Sequence, residues 1–277
     1  MRSSTPHSGR RQDLPFFLFL AGVLAFLLGT RFPAQTAALC AGSDLTAAPD
    51  TAPFSSTPVF ASGAAEDAGD KWVCLTFDDG PSKTTPAVLE ALDDAGVHGT
   101  FFVVATGHNQ KYLPLLTQAA AAGHQIALHS ASHEYSDIYR SAEAYWQDIA
   151  LLKERIAPYV DPETIRYLRF PGGSTNTVSR RYGGKGLMQQ LKSEVEQKGW
   201  QWVDWNVCAE DAVGGHPDAD TIYRNVVRET GEQTRCVVLM HDSATTGTTA
   251  QALPEIIRWY ADRDYRFLTV EQALPLG

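Results

Sequence analysis

The chain has 277 residues, 44% of them hydrophobic and 20% charged, with a formal net charge of −9. That balance, with no basic cluster in the body of the chain, argues against nucleic acid or an anionic polymer as preferred ligand and leaves a neutral substrate open. Four cysteines, Cys40, Cys74, Cys208 and Cys236, are too few and too dispersed for a disulfide framework in a domain of this size.

The chain opens with Arg2, His7, Arg10 and Arg11, followed by an uncharged run from Leu14 to Thr30. The run is long enough for a signal-peptide core and marginal for a membrane span, which needs about 20 apolar residues. Residues 1–31 therefore predict export to the cell surface or beyond, as a cleaved signal or as a retained anchor with the body outside. Residues 32–70, rich in Ala, Thr, Ser, Pro, Asp and Gly, read as a flexible linker. The remainder, 71–277, is long enough for one domain with a single core.

Within that body, short β-rich runs alternate with longer amphipathic ones. Strands are predicted at Val73–Phe77, Thr100–Val104, Gln125–Leu128, Tyr167–Phe170, Gln201–Asn206, Val237–Met240 and Arg266–Thr269. Helices are predicted at Thr85–Ala95, Tyr112–Ala122, Ala142–Ile156, Lys185–Lys198, Asp220–Thr230 and Leu253–Asp262. The alternation predicts an α/β fold with about seven parallel strands. Runs so short and apolar have both faces covered, as in a barrel or a doubly covered sheet. Cys74 and Cys236 fall inside such runs and read as buried free thiols. Cys208 lies near polar residues, but no second cysteine stands at metal-ligand spacing.

In such folds chemistry gathers at the carboxyl ends of the strands, and the polar residues fall there. Asp78-Asp79 follow the first strand, His129 ends the third, Arg169-Phe170-Pro171-Gly172-Gly173 the fourth, Asp204-Trp205-Asn206 the fifth and His241-Asp242 the sixth. Taken singly, adjacent aspartates before Gly80-Pro81 make an ordinary turn, and a His-Asp pair after a strand is usually structural. Together, a carboxylate and two histidines make a hydrolytic metal site with open positions for water and substrate, and the neighbouring carboxylate is free to act as a base. The spacing of His129 and His133 predicts both rings on one face of a helical turn. His98, His108, His124 and His216 lack partners at metal spacing and read as surface or loop histidines.

Thr76–Gly80, His129–His133, Arg169–Gly173, Trp205–Ala212 and Leu239-Met240-His241 resemble, in order, the five motifs of the NodB-like polysaccharide deacetylases, carbohydrate esterase family 4. The resemblance covers Trp72 to about Gln272. It implies a distorted (β/α) barrel and one divalent ion, zinc with cobalt or nickel as alternatives, held by Asp79, His129 and His133. It implies Asp78 as general base, His241 as general acid, and Ser130 as the hydroxyl that steadies loop and substrate. The N–H of Gly172 would meet the oxyanion. Arg169 and a motif-four aspartate would tune base and acid, with Asp211 the assignment and Asp204 its competitor.

In the family, three residues wall the acetyl methyl: an aromatic, a tryptophan and a leucine. Here those positions read Gly172, Ala212 and Leu239. Either another aromatic, Trp205, Trp202 or Tyr135, supplies a wall, or the pocket is wider and accepts a bulkier sugar or acyl group. The expected activity is removal of N-acetyl groups from a polysaccharide, peptidoglycan above other N-acetylhexosamine glycans. An O-acetyl esterase and a catalytically silent glycan-binding domain are the alternatives. No protein partner is expected, and the membrane is met only through an uncleaved N-terminal segment.

Overall fold

The computed structural model describes residues 71–276 apart from Gly215. The expected signal or anchor, 1–31, and the linker, 32–70, lie outside the described residues. Among the described residues no helix is long and apolar enough to cross a membrane.

The strands are β1 (Trp72–Asp78), β2 (Thr100–Val104), β3 (Gln125–Ser130), β4 (Tyr167–Leu168), β5 (Gln201–Trp202), β6 (Val207–Cys208), β7 (Arg235–His241) and β8 (Arg266–Phe267). All pairings are parallel, in the order β5-β4-β3-β2-β1-β7-β6, with β8 beside the Trp72–Val73 end of β1. The predicted strand Gln201–Asn206 is thus the two-residue β5 followed by the connection to β6. Asn206 explains the break. Its side chain takes the Val237 N–H at 2.7 Å and donates to the Arg235 carbonyl at 2.8 Å, standing in for backbone pairing.

The two edge strands, β5 and β6, are consecutive in the chain. In a flat sheet of seven strands they would lie about 29 Å apart, at ~4.8 Å per strand. The connection 203–206 reaches about 18 Å at most. The sheet must therefore curl until its edges approach, which makes it a distorted, open (β/α) barrel.

Nine helices are described: α1 (Thr85–Ala95), α2 (Leu115–Ala121), α3 (Tyr135–Ile138), α4 (Ala142–Ile156), α5 (Val178–Gly183), α6 (Leu187–Gln197), α7 (Ala219–Thr230), α8 (Gly247–Ala261) and α9 (Val270–Ala273). Local chemistry sets several ends. Gly96, at φ 65°, closes α1, the Ser141 hydroxyl accepts from Ala144 N to open α4, and Asp218 does the same from Thr221 N for α7. The helix predicted at Leu253–Asp262 is α8, whose observed span is Gly247–Ala261. It begins six residues earlier than predicted and carries Pro254 inside it.

Alternation along the strands separates two cores. Val73, Leu75 and Phe77 of β1 pack outward with the helices, as do Phe101, Val103, Leu128 and Val238. Trp72, Cys74, Phe102, Ala127, Tyr167 and Val237 fill the barrel interior. Extending that period of two places Asp78, His129, Arg169 and His241 inward, at the carboxyl ends of their strands. Cys74 and Cys236 are buried and free, and burial raises both thiol pKa values, Cys236 to about 11. Cys208 is disulfide-bonded, which its sequence context did not predict.

Candidate active site

Asp78 and His241 are register partners on the adjacent strands β1 and β7. Parallel pairing therefore sets a carboxylate and an imidazole side by side at the rim without help from any loop. Asp79 then turns out of the strand at φ 68°, a left-handed conformation that aspartate tolerates better than most residues. Gly80 follows because nothing larger fits: an added Cβ would lie 2.4 Å from Asp242 Oδ2. Asp242 is fully buried, and burial drives its pKa up to about 8 against the Thr85 hydroxyl that donates to it at 2.6 Å.

Asp79 Oδ1 lies 3.6 Å from His129 Nε2 and 3.4 Å from His133 Nε2. The three residues form the one group of potential metal ligands among the described residues. Their donor chemistry fits a cation. His129 Nδ1 sits 2.7 Å from the Arg169 carbonyl, which can only accept, so Nδ1 carries the proton and Nε2 presents a lone pair. That lone pair faces Asp79 Oδ1, a buried oxygen with no hydrogen-bond partner. Burial holds the His129 pKa below its usual value, so a proton is a poor bridge between them. Burial opposes ionisation of Asp79 too, but the fields of His133, His129 and His241 outweigh it and lower its pKa.

Arg169 lies inside the barrel with no exposed surface. Its Nη1 donates to Asp78 Oδ1 at 2.7 Å and to Thr76 Oγ1 at 2.9 Å, while Nε donates to the Val203 carbonyl at 3.0 Å. The guanidinium therefore ties β1 to the connection that spans the open seam. Phe102 stacks 4.1 Å away and Trp205 5.5 Å away, measured to the ring centres, which covers the charge with aromatic faces. With Oδ1 engaged, Oδ2 is the oxygen that Asp78 turns toward His129, 3.8 Å from Nε2.

On the other flank, His241 Nδ1 lies 2.8 Å from Asp211 Oδ1, and Asp211 Oδ2 accepts from His241 N and from the Thr249 hydroxyl, both at 2.7 Å. Asp204 instead holds Ser174 through its backbone N–H and hydroxyl. Asp211 is therefore the aspartate that touches the imidazole. Burial pulls the His241 pKa down, but Asp211, by charge and hydrogen bond, with Asp79 and Asp78 beyond, pushes it up to about 9. Being raised in the fold, this group adds stability below its ordinary pKa of about 6.5 and loses it as pH climbs through 9. Asp211→Asn is expected to move the alkaline limb of the pH–kcat profile down by about one unit or more. An unmoved limb in metal-loaded enzyme would show that His241 does not set it.

The second motif differs from its expected shape. His129 belongs to β3, not to a helical turn, and His133 stands in the following loop at φ 58°. The rings converge, with centres 5.2 Å apart, because the chain doubles back over Ser130–His133. Ser130 is wholly buried, and its hydroxyl accepts from His133 N at 2.8 Å; it steadies this loop and does not line the cavity. The carboxylate that holds the loop, Asp148 on α4, is one that sequence reading passed over, since on an amphipathic helix it looks like an ordinary surface position.

Above the cluster, Gly172, Trp205 and Leu239 line one cavity with Tyr135, Ala212 and Val213. The positions lacking an aromatic are partly filled from elsewhere. Gly173, at φ 79°, leaves room for the Trp205 ring, whose edge would lie 3.0 Å from any added Cβ. Trp202 is not part of this wall; it packs on the outer core under Lys192.

A parallel, curled α/β barrel carrying an Asp-His-His cluster between an arginine-bound carboxylate and an aspartate-bound histidine defines a class of hydrolase site. Comparison with known proteins gives the family. The sequence profile for polysaccharide deacetylase matches residues 65–190. The catalytic domain of a peptidoglycan N-acetylglucosamine deacetylase from Eubacterium rectale superposes with a TM-score of 0.70 at 35% identity, covering 78% of this chain and 96% of that one. A peptidoglycan-N-acetylglucosamine deacetylase of Bacillus cereus is 28% identical over 211 residues, 74% of this chain and 89% of that protein. The peptidoglycan-N-acetylmuramic acid deacetylase PdaC of Bacillus subtilis is 31% identical over 74% of this chain and 39% of its own longer one. The chain belongs to the polysaccharide deacetylases, the NodB-like carbohydrate esterases of family 4.

Proposed function

We propose that this chain is a divalent-metal-dependent N-deacetylase of an N-acetylhexosamine glycan, with peptidoglycan as the preferred substrate. One observation carries the reading: Asp78 and His241, paired in register, are held by Arg169 and Asp211 on either side of the Asp79–His129–His133 cluster. The relatives' names support the choice of glycan, and the uncharged run Leu14–Thr30, read as a signal or anchor, would deliver the domain to the cell surface.

Asp79, His129 and His133 would hold a divalent cation, which when bound would supply Lewis acidity and lower the pKa of water toward ~7. Zinc is the first candidate, with cobalt and nickel compatible with the same donors. Asp78 takes the proton of the attacking water on Oδ2, since Oδ1 stays bonded to Arg169. Water oxygen joins the acetyl carbon, and the N–H of Gly172 receives the developing oxyanion. His241 then gives its Nε2 proton to the departing nitrogen as the C–N bond breaks, because Nδ1 is committed to Asp211. Acetate and a glycan amine leave.

The test is to incubate the full-length protein with zinc and purified peptidoglycan, and to measure acetate together with new primary amines. Equal yields are expected. Acetate without amines would mean ester cleavage, and neither product with binding retained would mean a silent glycan-binding domain. Because Trp205 and Tyr135 only partly replace the walls missing at Gly172 and Ala212, glycans containing muramic acid are expected to give a higher kcat/KM than plain chitin oligomers. A clear preference for chitin oligomers would contradict that wider pocket.

A further inference from the structure

Asp148 accepts four hydrogen bonds, all from three consecutive residues between the two histidines of the cluster. Oδ2 takes the Ser130 hydroxyl at 2.6 Å and Ala131 N at 2.8 Å, and Oδ1 takes Ser132 N at 3.0 Å and the Ser132 hydroxyl at 2.8 Å. The consequence passes directly to His133. Ser130 has one hydroxyl proton, and giving it to Asp148 leaves a lone pair facing the His133 N–H at 2.8 Å. That bond closes the turn in which His133 adopts φ 58°, a conformation costly for any residue with a Cβ. The same helix grips the turn a second time, through Arg155 Nη1 on the Ala131 carbonyl at 3.3 Å and on the Ala105 carbonyl at 2.6 Å.

We propose that Asp148 is a positioning residue for the cation site: it holds the Ser130–His133 turn in the shape that sets His133 Nε2 opposite Asp79, and thereby sets the affinity for the ion. This rests on Asp79, His129 and His133 being the ligands. Asparagine at 148 could satisfy one side of the turn. Its amide NH₂ would face donors on the other and leave a backbone N–H without an acceptor. Aspartate is thus required for its two acceptor oxygens rather than for size.

The experiment strips the full-length protein with a chelator and measures the zinc dissociation constant by competition, alongside the Tm of the metal-free protein. Asp148→Asn is expected to bind zinc about 10- to 100-fold more weakly, the range for partners that orient ligands. At saturating zinc its kcat should recover toward wild type with KM for glycan unchanged. Ser132→Ala, which removes the hydroxyl that donates to Asp148 and accepts from Glu134 N at 3.3 Å but keeps the carboxylate, should weaken zinc binding by a few-fold and decides the matter should Asp148→Asn not fold. Zinc affinity within twofold of wild type in the folded variant, whether or not the metal-free Tm falls, would make Asp148 purely structural and overturn the proposal. A wild-type protein that binds no zinc, cobalt or nickel would instead overturn the ligand assignment beneath it.

Discussion

Asp78→Asn is expected to lower kcat by about 10³-fold while zinc affinity stays within a few-fold of wild type, the signature of a lost general base rather than a lost ligand. The separation follows from geometry. Asp79 Oδ1 is the buried, unpartnered oxygen that both imidazoles face, whereas Asp78 gives Oδ1 to Arg169 and keeps Oδ2 for chemistry. Asparagine retains an acceptor for the arginine but has no basic oxygen. Stability is the control, because Arg169 is wholly buried and removing the charge of its partner leaves it uncompensated. The full loss of a buried partner costs about 3–5 kcal/mol, and asparagine, which keeps the hydrogen bond, should cost less. A folded Asp78→Asn protein with kcat within tenfold of wild type would refute the base assignment.

His133→Ala should do the opposite, removing the ion first and activity with it. The side chain is only partly buried, so its loss leaves the barrel intact, yet it is one of three groups converging on one point. Losing a direct ligand should exceed the ~10–100-fold cost of losing an orienting partner. Zinc that binds only the folded state raises stability by about 2.7 kcal/mol at a hundred times its dissociation constant. Saturating zinc should therefore raise the Tm of the wild type and leave that of His133→Ala unmoved. Equal zinc-induced shifts in the two proteins would remove His133 from the ligand set.

Where local chemistry decides structure, the sequence was legible. Pro86 and Gly96 bracket α1, and Ser141 opens α4, and both helices fall on the spans predicted for them. The strand ends were legible for a similar reason, since apolar runs that stop at Asp78, His129 and His241 have few other readings. What escaped depends on partners remote in sequence. The Ser130–His133 loop takes its shape from Asp148, so a spacing of four suggested a helix where the chain makes a turn. The choice between Asp211 and Asp204 needed β6 placed beside β7, which sets Asp211 against His241. Nor does a single arginine in a loop-like motif announce that it fills the barrel and bridges its seam.

The most direct test of the account is a zinc titration of the metal-stripped, full-length protein on peptidoglycan, following acetate and primary amines together. Both products should rise in equal amounts and level off at one zinc per chain, with neither formed at zero zinc. Amine release at full rate without any divalent ion, or acetate release with no matching amine, would contradict it.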